Sequence, residues 1–280
     1  MTASILGRRT PLATRLATPQ ALAELAVEKG NRGLWFEAFD HVAEGVARFP
    51  QAQIPLLAFA WDLYEKLQLQ HGDRWFLYQG RFFDVGITPD ERVLDVGSGH
   101  HPFPFATHLS DISIEDDSVG RVGARFQNPR NLPIFEFPVE AIPFGDAEFD
   151  FIYCSHVLEH STDPAKACEE IMRVARRGYI ETPTSHKDLW LASAEGSNHT
   201  MAVDWELDTL VFRPYRPEEI QGLGTSILMD MHCHPGSDRE KAFAASIYLF
   251  ADRLNTMVYW ERKFRYHIKK SGLQAGETAK

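Results

Sequence analysis

The stretch VLDVGSGHHPFPFATHLSDI, residues 93–112, decides the fold class of this 280-residue chain. An apolar run over 93–96 stops at the glycine turn 97–99, and a second apolar run ends at Asp111. Short apolar runs of this kind are typical of strands buried on both faces of a parallel sheet. Glycine lets the backbone turn tightly and lets a ligand approach without a Cβ in the way. The stretch therefore predicts two neighbouring strands with a ligand site beyond their carboxyl ends.

The same alternation continues through the middle of the chain. Further strand-like runs lie at 107–112, 133–139, 149–154 and 178–182. Before the last run, Asp163 is a good helix N-cap and Pro164 suits the first helical position. Strands that alternate with helices pair in parallel. The sequence predicts an α/β fold with a doubly wound, mostly parallel sheet of Rossmann-like type.

A different pattern comes before the sheet. Residues 19–70 carry apolar side chains at intervals of three and four positions, as one face of a helix requires. A further helix is predicted between 73 and 92. We expect a helical N-terminal region over 1–72 that caps a domain over 73–280, and a module that docks a partner is the alternative.

Two segments after residue 185 extend the predicted domain. In LMDMHCHPG (228–236), His232 and His234 have the spacing of one strand face, so we expect a strand end. A His-x-His pair can ligate metal, but no paired acid accompanies it, and we predict no metal site. LNTMVYWERKFRYHIKK (254–270) is predicted as a helix packed through its apolar side chains, with contact to an anionic membrane surface or a glycolipid as the alternative.

Charge and cysteine content narrow the class of protein. The chain has 39 acidic against 29 basic residues, a net charge of −10, which disfavours a protein that grips nucleic acid. No apolar run is long enough to span a bilayer, and the first residues lack an apolar signal core. Three scattered cysteines without a C-x-x-C pair fit a reducing cytoplasm. We expect a cytoplasmic protein that binds no nucleic acid, and a homo-oligomer stays open.

The spacing within 93–112 indicates which nucleotide fits. Asp111 stands at the end of the second predicted strand, where a carboxylate accepts hydrogen bonds from both hydroxyls of an unphosphorylated ribose. A dinucleotide site would have a third glycine where Pro102 stands, followed by a long helix. An adenosine-containing ligand is therefore favoured, and a nicotinamide oxidoreductase is disfavoured.

A second motif extends the assignment. Residues 139–164 read VEAIPFGDAEFDFIYCSHVLEHSTDP. Together with VLDVGSG, this block resembles the class I S-adenosylmethionine-dependent methyltransferases of the type 11-like branch over roughly residues 75–185. The resemblance implies S-adenosylmethionine as cofactor and methyl transfer as activity, with additions after 185 on the acceptor side. We expect O-methylation of a small-molecule or sugar-containing acceptor. The alternative is a non-catalytic scaffold that works through its N-terminal helices, although the intact glycine turn counts against it.

The resemblance also implies the residues that bind the cofactor. They are Asp95, Gly97, Ser98, Gly99, Asp111, Ile112, Glu140, Ala141, Ser155 and His156. The glycine turn would face the methionine portion, and the acid of VLDV would orient that turn. Asp111 would bind the ribose, Ile112 would pack against the adenine, and Glu140 would accept from the exocyclic amine. Ser155 and His156 would lie beside the sulfonium.

Three residues are candidates for the catalytic role: His160, Glu181 and His199. A hydroxyl acceptor is helped by a base, and a neutral imidazole suits that role at physiological pH. His160 is the first candidate, with Glu181 as its orienting partner, because both follow strands that end at one sheet edge. The structural alternative for His160 is a capping or hydrogen-bonding histidine at a helix start. For Glu181 it is a solvated strand-end acid or a partner for a nearby arginine.

Overall fold

The computed structural model describes Arg8 and residues 18–116, 123–191, 198–221 and 225–270. The helices predicted over 19–70 are confirmed: α1 (Pro19–Asn31), α2 (Trp35–Arg48), a 3₁₀ turn (Pro50–Ala52) and α3 (Gln53–Gln70). Thr18 caps α1, because its hydroxyl accepts a hydrogen bond from the backbone N–H of Ala21 at 3.2 Å. Gly33, at φ +74°, lets the chain turn back into α2. None of the described helices is long and apolar enough to cross a membrane.

The helix predicted between 73 and 92 is shorter than expected. It consists of a π-helical turn (Trp75–Gln79) and one short helix, α4 (Gly80–Phe82). Phe83 then leaves in an extended conformation. The run of aromatic side chains in this segment packs in several directions, so it does not mark one face of a long helix.

The central sheet confirms the predicted fold class. Its strands are β1 (Val93–Val96), β2 (His108–Asp111), β3 (Ile134–Glu136), β4 (Phe151–Ser155), β5 (Arg177–Pro183) and β8 (Asn255–Glu261). They lie in the order β3-β2-β1-β4-β5-β8, with the first five parallel and β8 antiparallel to β5. The carboxyl ends of β1, β2 and β4 therefore meet at one edge, where the glycine turn begins.

One face of this sheet packs against α5 (Pro164–Val174) and a small second sheet. As predicted, Asp163 caps α5 by accepting a hydrogen bond from the N–H of Lys166 at 3.1 Å. The second sheet consists of β6 (Met201–Glu206), β7 (Thr209–Pro214) and β9 (Arg265–Ile268), in the order β6-β7-β9. Its side chains share a core with the sheet through residues such as Phe212 and Trp260.

The other face is covered by the N-terminal segments and by α8 (Asp238–Leu249), against which α3 packs. Residues 97–107, all described, form turns instead of a helix between β1 and β2. Phe103 from this link stacks on Tyr153 at 4.2 Å between ring centroids. Trp75 meets Phe103 edge-on at 5.4 Å. The helices and the sheet thus share one apolar core, while the division of the chain at residue 72 stays a prediction.

Two predictions for the last third of the chain are wrong. Residues 228–236 do not end a strand, because α7 (Ile227–Cys233) covers most of them. The segment 254–270 is not a helix, because it forms the strands β8 and β9 directly after the short helix α9 (Ala251–Leu254). The remaining helix, α6, spans Ser185–Trp190 after β5. Along β8, Met257 and Tyr259 join one core and Val258 and Trp260 the other. A strand buried on both faces shows a continuous apolar run that periodicity alone does not distinguish from a helix.

Candidate active site

A cavity of about 510 Å³ opens beyond the carboxyl ends of β1, β2 and β4. We call it the glycine-turn cavity. Ten of the predicted site residues line it: Gly97, Ser98, Gly99, Asp111, Ile112, Glu140, Ser155, His156, His160 and His199. Three others stand outside this lining, namely Asp95, Ala141 and Glu181. The volume lies within the usual range for small-molecule sites.

The glycine turn has the backbone conformation that requires glycine. Gly97 and Gly99 have φ values of 69° and 54°. A Cβ on Gly97 would come within 2.2 Å of the Val157 side chain. Asp111 holds the turn from the neighbouring strand, since its carboxylate accepts hydrogen bonds from the N–H groups of Gly99 at 3.1 Å and Ile112 at 2.7 Å. The turn and the acid at the end of β2 therefore form one rigid unit.

Asp95 lies beneath the turn and fixes the loop HHPFP. Its carboxylate accepts a hydrogen bond from the N–H of Phe103 at 2.7 Å, and burial raises the pKa of Asp95 to about 7. The loop also contacts the segment that follows α3, because Nδ1 of His101 lies 2.6 Å from the carbonyl oxygen of Gly72. Burial lowers the pKa of His101 to about 4, so its ring is neutral and Nδ1 donates.

The far end of the cavity combines an apolar surface with an acid. Ile112 is 53% exposed, unusual for its type, and it faces the cavity. Glu140 accepts hydrogen bonds from the hydroxyl of Ser161 at 2.6 Å and from the N–H of Thr162 at 3.0 Å. Burial works to raise the pKa of Glu140, but these hydrogen bonds outweigh it and the pKa lies below its usual value. Ala141 is exposed and is not among the residues that line this cavity.

A second cavity of about 470 Å³ adjoins the first. We call it the histidine cavity. Its polar lining residues include His71, Arg74, Tyr78, Lys187, Asp188, His232 and Asn255. Five residues border both cavities: Arg74, His100, His101, His156 and His199. A molecule in one cavity would therefore be separated from a molecule in the other only by this shared wall.

Behind the wall, Glu181 is completely buried. Its Oε1 accepts hydrogen bonds from Tyr78, at 2.9 Å, and from Asn255. Its Oε2 accepts from Gln79 and Tyr179, each at 2.6 Å. Both oxygens are thus engaged by side chains from the π-helical turn, β5 and β8. Glu181 is a structural junction of three elements, and it stands away from the surface that a substrate would touch.

The imidazole beside Glu181 is that of His156, whose Nε2 lies 3.8 Å from Oε1. The backbone N–H of His156 donates to the carbonyl of Glu181 at 2.8 Å. His156 has a φ of 58°, a left-handed conformation that is uncommon for residues other than glycine. Burial holds the pKa of His156 well below its usual value, so the ring is neutral. The expectation that Glu181 orients His160 is thus replaced by a contact between Glu181 and His156.

His160 and His199 are brought together as the sequence suggested. Their ring centroids lie 4.6 Å apart at 83°. Burial lowers the pKa of His160 to about 4. Burial also acts on His199, but Asp188, whose Oδ1 lies 2.6 Å from Nδ1, outweighs it and raises that pKa. Glu159 lies next to both rings and is completely buried, which raises its pKa to about 7.

Sequence reasoning missed several residues of the two cavities and of the buried network behind them. Glu159 was visible in the motif VLEH but was not given a role. Lys187, whose Nζ donates to Asn255 at 2.6 Å, has its pKa lowered to about 8 by burial. Tyr78 and Gln79 lie on the π-helical turn that precedes the sheet in the chain. The sequence has no local signal for these three, because only the tertiary fold brings them to the carboxyl edge.

Residues 94–180 match the family model described as "Methyltransferase domain". The chain contains a class I S-adenosylmethionine-dependent methyltransferase domain. The matched range contains the glycine turn, Asp111 and Glu140, which line the glycine-turn cavity.

Individual relatives are similar over the same region. Demethylmenaquinone methyltransferase of Renibacterium salmoninarum is 32% identical over 96 residues, which is 34% of this chain and 40% of that protein. Ubiquinone biosynthesis O-methyltransferase of Acinetobacter baumannii is 26% identical over 128 residues, 42% of this chain and 54% of that protein. The crystal structure of YcgJ from Bacillus subtilis superposes with a TM-score of 0.32 and 18% identity, covering 42% of this chain and 65% of that one. The chain spans about half the length of the curated relatives, so the methyltransferase domain is their common part.

Proposed function

We propose that the protein transfers a methyl group from S-adenosylmethionine to the oxygen of a small-molecule acceptor. The observation that carries this proposal is the pair of adjoining cavities. One is built on the glycine turn and Asp111, and the other is lined by polar groups from α6, α7 and β8. Methyl transfer is an in-line displacement, so the largest contribution of the protein is to align donor and acceptor across the shared wall.

The residues of the glycine-turn cavity fit the cofactor. Asp111 offers carboxylate oxygens at the end of β2 for ribose hydroxyls, and the exposed side chain of Ile112 offers an apolar surface for adenine. Glu140 lines the adenine end, and Ala141 follows it in the chain just outside the lining. Hydrogen bonds from Ser161 and Thr162 already engage Oε1 of Glu140. When bound, S-adenosylmethionine supplies an activated methyl group on a sulfonium.

The remaining predicted residues act near the transferred methyl or beneath the turn. Ser155 and His156 line the cavity past β4 and would face the sulfonium. Asp95 acts indirectly, by fixing the loop after the glycine turn. Glu181 is a positioning residue, because its backbone carbonyl accepts a hydrogen bond from the N–H of His156. The imidazole of His160 would accept the proton of a hydroxyl acceptor or, in place of the proton, bind a metal ion.

The lining of the histidine cavity supports the proposed acceptor class. Arg74 and Lys187 give it cationic groups, and Tyr78 and Asn255 give it hydrogen-bonding groups. Such a lining favours an acceptor with hydroxyl or acidic oxygens, either a small molecule or a sugar-containing one. The names of two relatives, a demethylmenaquinone methyltransferase and a ubiquinone biosynthesis O-methyltransferase, agree with a small-molecule acceptor. The cytoplasmic location expected from the cysteines stays a prediction.

Calorimetry tests the cofactor half of this proposal. S-adenosylhomocysteine should bind saturably and NAD should not, because the turn lacks the third glycine and the helix of a dinucleotide site. Incubation with methyl-labelled cofactor and a panel of phenols, catechols and sugar derivatives then tests transfer. Tight NAD binding without S-adenosylhomocysteine binding would refute the proposal. Binding of S-adenosylhomocysteine without transfer to any acceptor would favour the scaffold alternative.

A further inference from the structure

An acid and two imidazoles converge where the two cavities adjoin. Glu159, His160 and His199 each offer one ligand atom, and these atoms all lie within 4.8 Å of one another. Glu159 and His160 line the glycine-turn cavity, and His199 borders both cavities. A carboxylate with two imidazoles is a donor set that divalent transition metals prefer.

The carboxylate of Glu159 is completely buried but poorly satisfied. Among the described residues, neither of its oxygens has a hydrogen-bond donor of acceptable geometry. Nδ1 of His156 lies 3.2 Å from Oε1, but this approach is not aligned as a hydrogen bond. A buried carboxylate without donors is destabilising, and buried acids are therefore normally paired or bound to metal. Glu159 thus points to a positively charged partner within the cluster.

The imidazole of His199 is held in one orientation. Its Nδ1 lies 2.6 Å from Oδ1 of Asp188, a residue that is itself buried. A carboxylate on one ring nitrogen fixes the tautomer and leaves the other nitrogen as the ligand, an arrangement common around metal-binding histidines. Asp188 comes from α6, so a separate element orients this ring.

The backbone also joins the two segments that carry the cluster. Glu159 and His160 lie on the 3₁₀ turn Leu158–His160, and His199 comes just before β6. Between them, the N–H of Thr200 donates to the carbonyl of Glu159 at 2.9 Å. The Thr200 hydroxyl donates to the same carbonyl and to that of Ser161, each at 3.2 Å. The two segments are therefore joined by hydrogen bonds from Thr200 to backbone carbonyls, which do not use the side-chain atoms of the cluster.

We propose that Glu159, His160 and His199 bind one divalent first-row transition-metal ion, which in turn binds the acceptor oxygen. Two imidazoles and one carboxylate favour Zn²⁺ or Mn²⁺ over Mg²⁺ and Ca²⁺, which prefer oxygen ligands. Three protein ligands leave positions open for substrate. The role of this ion in methyl transfer rests on the proposed function, whereas the binding of the ion does not.

The ion explains how a hydroxyl acceptor becomes a nucleophile in this wall. A hydroxyl oxygen bound to the metal releases its proton to water in the histidine cavity at a much lower pH than a free hydroxyl. The resulting oxygen anion forms a bond to the methyl carbon, and the carbon–sulfur bond breaks. The bonding electron pair goes to sulfur, which leaves neutral S-adenosylhomocysteine. The metal keeps its charge, so no oxidant or reductant is needed.

Metal titration of the full-length protein tests the site without cofactor or acceptor. After treatment with a chelator, Mn²⁺ is added and followed by electron paramagnetic resonance, and Zn²⁺ is added in competition. We expect one saturable Mn²⁺ site that Zn²⁺ displaces and a large excess of Mg²⁺ does not. Glu159→Gln and His199→Asn should each weaken Mn²⁺ binding by roughly 100-fold or more, and Asp188→Asn by roughly 10- to 100-fold.

Two controls keep the result specific. His267→Gln changes an exposed histidine of β9 and should bind Mn²⁺ like the wild type. His232→Gln tests the other histidine pair, whose members lie two positions apart at the end of α7 and so do not share a helix face. Loss of Mn²⁺ binding in His232→Gln but not in His199→Asn would overturn the proposal. Because His199 lies partly exposed outside the sheet, His199→Asn should fold even if Glu159→Gln does not.

The outcomes separate this inference from the proposed function. Saturable S-adenosylhomocysteine binding without Mn²⁺ or Zn²⁺ binding would refute the metal site and leave the methyl-transfer proposal standing. Metal binding without S-adenosylhomocysteine binding would support the metal site and refute the methyl-transfer proposal. In a working enzyme, chelation should lower turnover and leave S-adenosylhomocysteine affinity within about twofold, since the cofactor contacts lie mainly on the glycine turn.

Discussion

Replacing Glu181 by glutamine should destabilise the protein strongly, although the two side chains have nearly the same shape. Each carboxylate oxygen of Glu181 accepts two hydrogen bonds: Tyr78 and Asn255 donate to one, and Gln79 and Tyr179 to the other. The amide nitrogen of glutamine donates instead of accepting. Whichever oxygen it replaces, two buried donors lose their acceptor.

The size of the effect follows from this count. A buried donor left without a partner is destabilising by about 1–3 kcal/mol, so two of them lower the free energy of unfolding by about 2–6 kcal/mol. Rotation of a tyrosine hydroxyl moves the value toward the lower end, because that hydroxyl can also accept. Reorientation of Gln79 is restricted, since its carbonyl oxygen already accepts from Tyr153 at 2.7 Å. At roughly 2 °C per kcal/mol, the melting temperature should fall by about 4–12 °C.

Thermal and urea unfolding at pH 7.5 would measure this difference. Tyr78→Phe removes one donor and leaves the charge, so it should destabilise by about 1.5–3 kcal/mol. Glu206→Gln is the matched surface control: this exposed acid pairs with Lys269, and its loss should change stability by less than about 1 kcal/mol. If Glu181→Gln unfolds at the same urea concentration as Glu206→Gln, the four-donor network does not exist as described.

Further predictions concern the glycine turn, the ribose acid and a buried lysine. Gly97→Ala should abolish S-adenosylhomocysteine binding and destabilise the protein more than Gly33→Ala, because both sites have positive φ but only Gly97 has Val157 within 2.2 Å of the added Cβ; equal melting temperatures would contradict the clash. Asp111→Ala should weaken S-adenosylhomocysteine binding by about 1.5–3 kcal/mol in calorimetry, and wild-type affinity in a folded variant would mean that the ribose lies elsewhere. Lys187 has a folded-state pKa of about 8, below its unfolded value, so the unfolded chain binds more protons above pH 8. The free energy of unfolding should therefore rise between pH 8 and 9.5 in the wild type relative to Lys187→Met, and parallel pH profiles in urea titrations would argue against a buried lysine.

The parts of the fold that could be predicted are those with local causes. The strand β1 and its glycine turn follow from an apolar run that must end in left-handed backbone, and Asp163 caps α5 by a hydrogen bond three residues away. The helix predicted for 254–270 was wrong because β8 is buried on both faces, so no polar side chains reveal the period of the strand. The strand end predicted for 228–236 was wrong for a related reason, since a His-x-His spacing does not indicate which type of element carries it.

The candidate site divides along the same line. The glycine turn and Asp111 were predicted because the sequence places them at the ends of neighbouring strands. Tyr78 and Gln79 were not, because they reach Glu181 across about 100 residues of chain. No pattern in the sequence reports that contact, which depends on how the N-terminal segment covers the sheet. Glu181 was expected to orient His160 for the same reason: its burial depends on partners that are distant in sequence.

The packing of α3 on α8 affects how the chain can fold during synthesis. Helices α1 to α3 leave the ribosome early, but α8, on which α3 packs, begins about 170 residues later. At about 5–20 residues per second, the apolar side of α3 waits roughly 8–34 s for this partner. Contacts between such distant segments also form slowly in refolding. The nascent protein therefore carries an uncovered aromatic surface for most of its synthesis, and we expect its yield in cells to depend on chaperones that shield such surfaces.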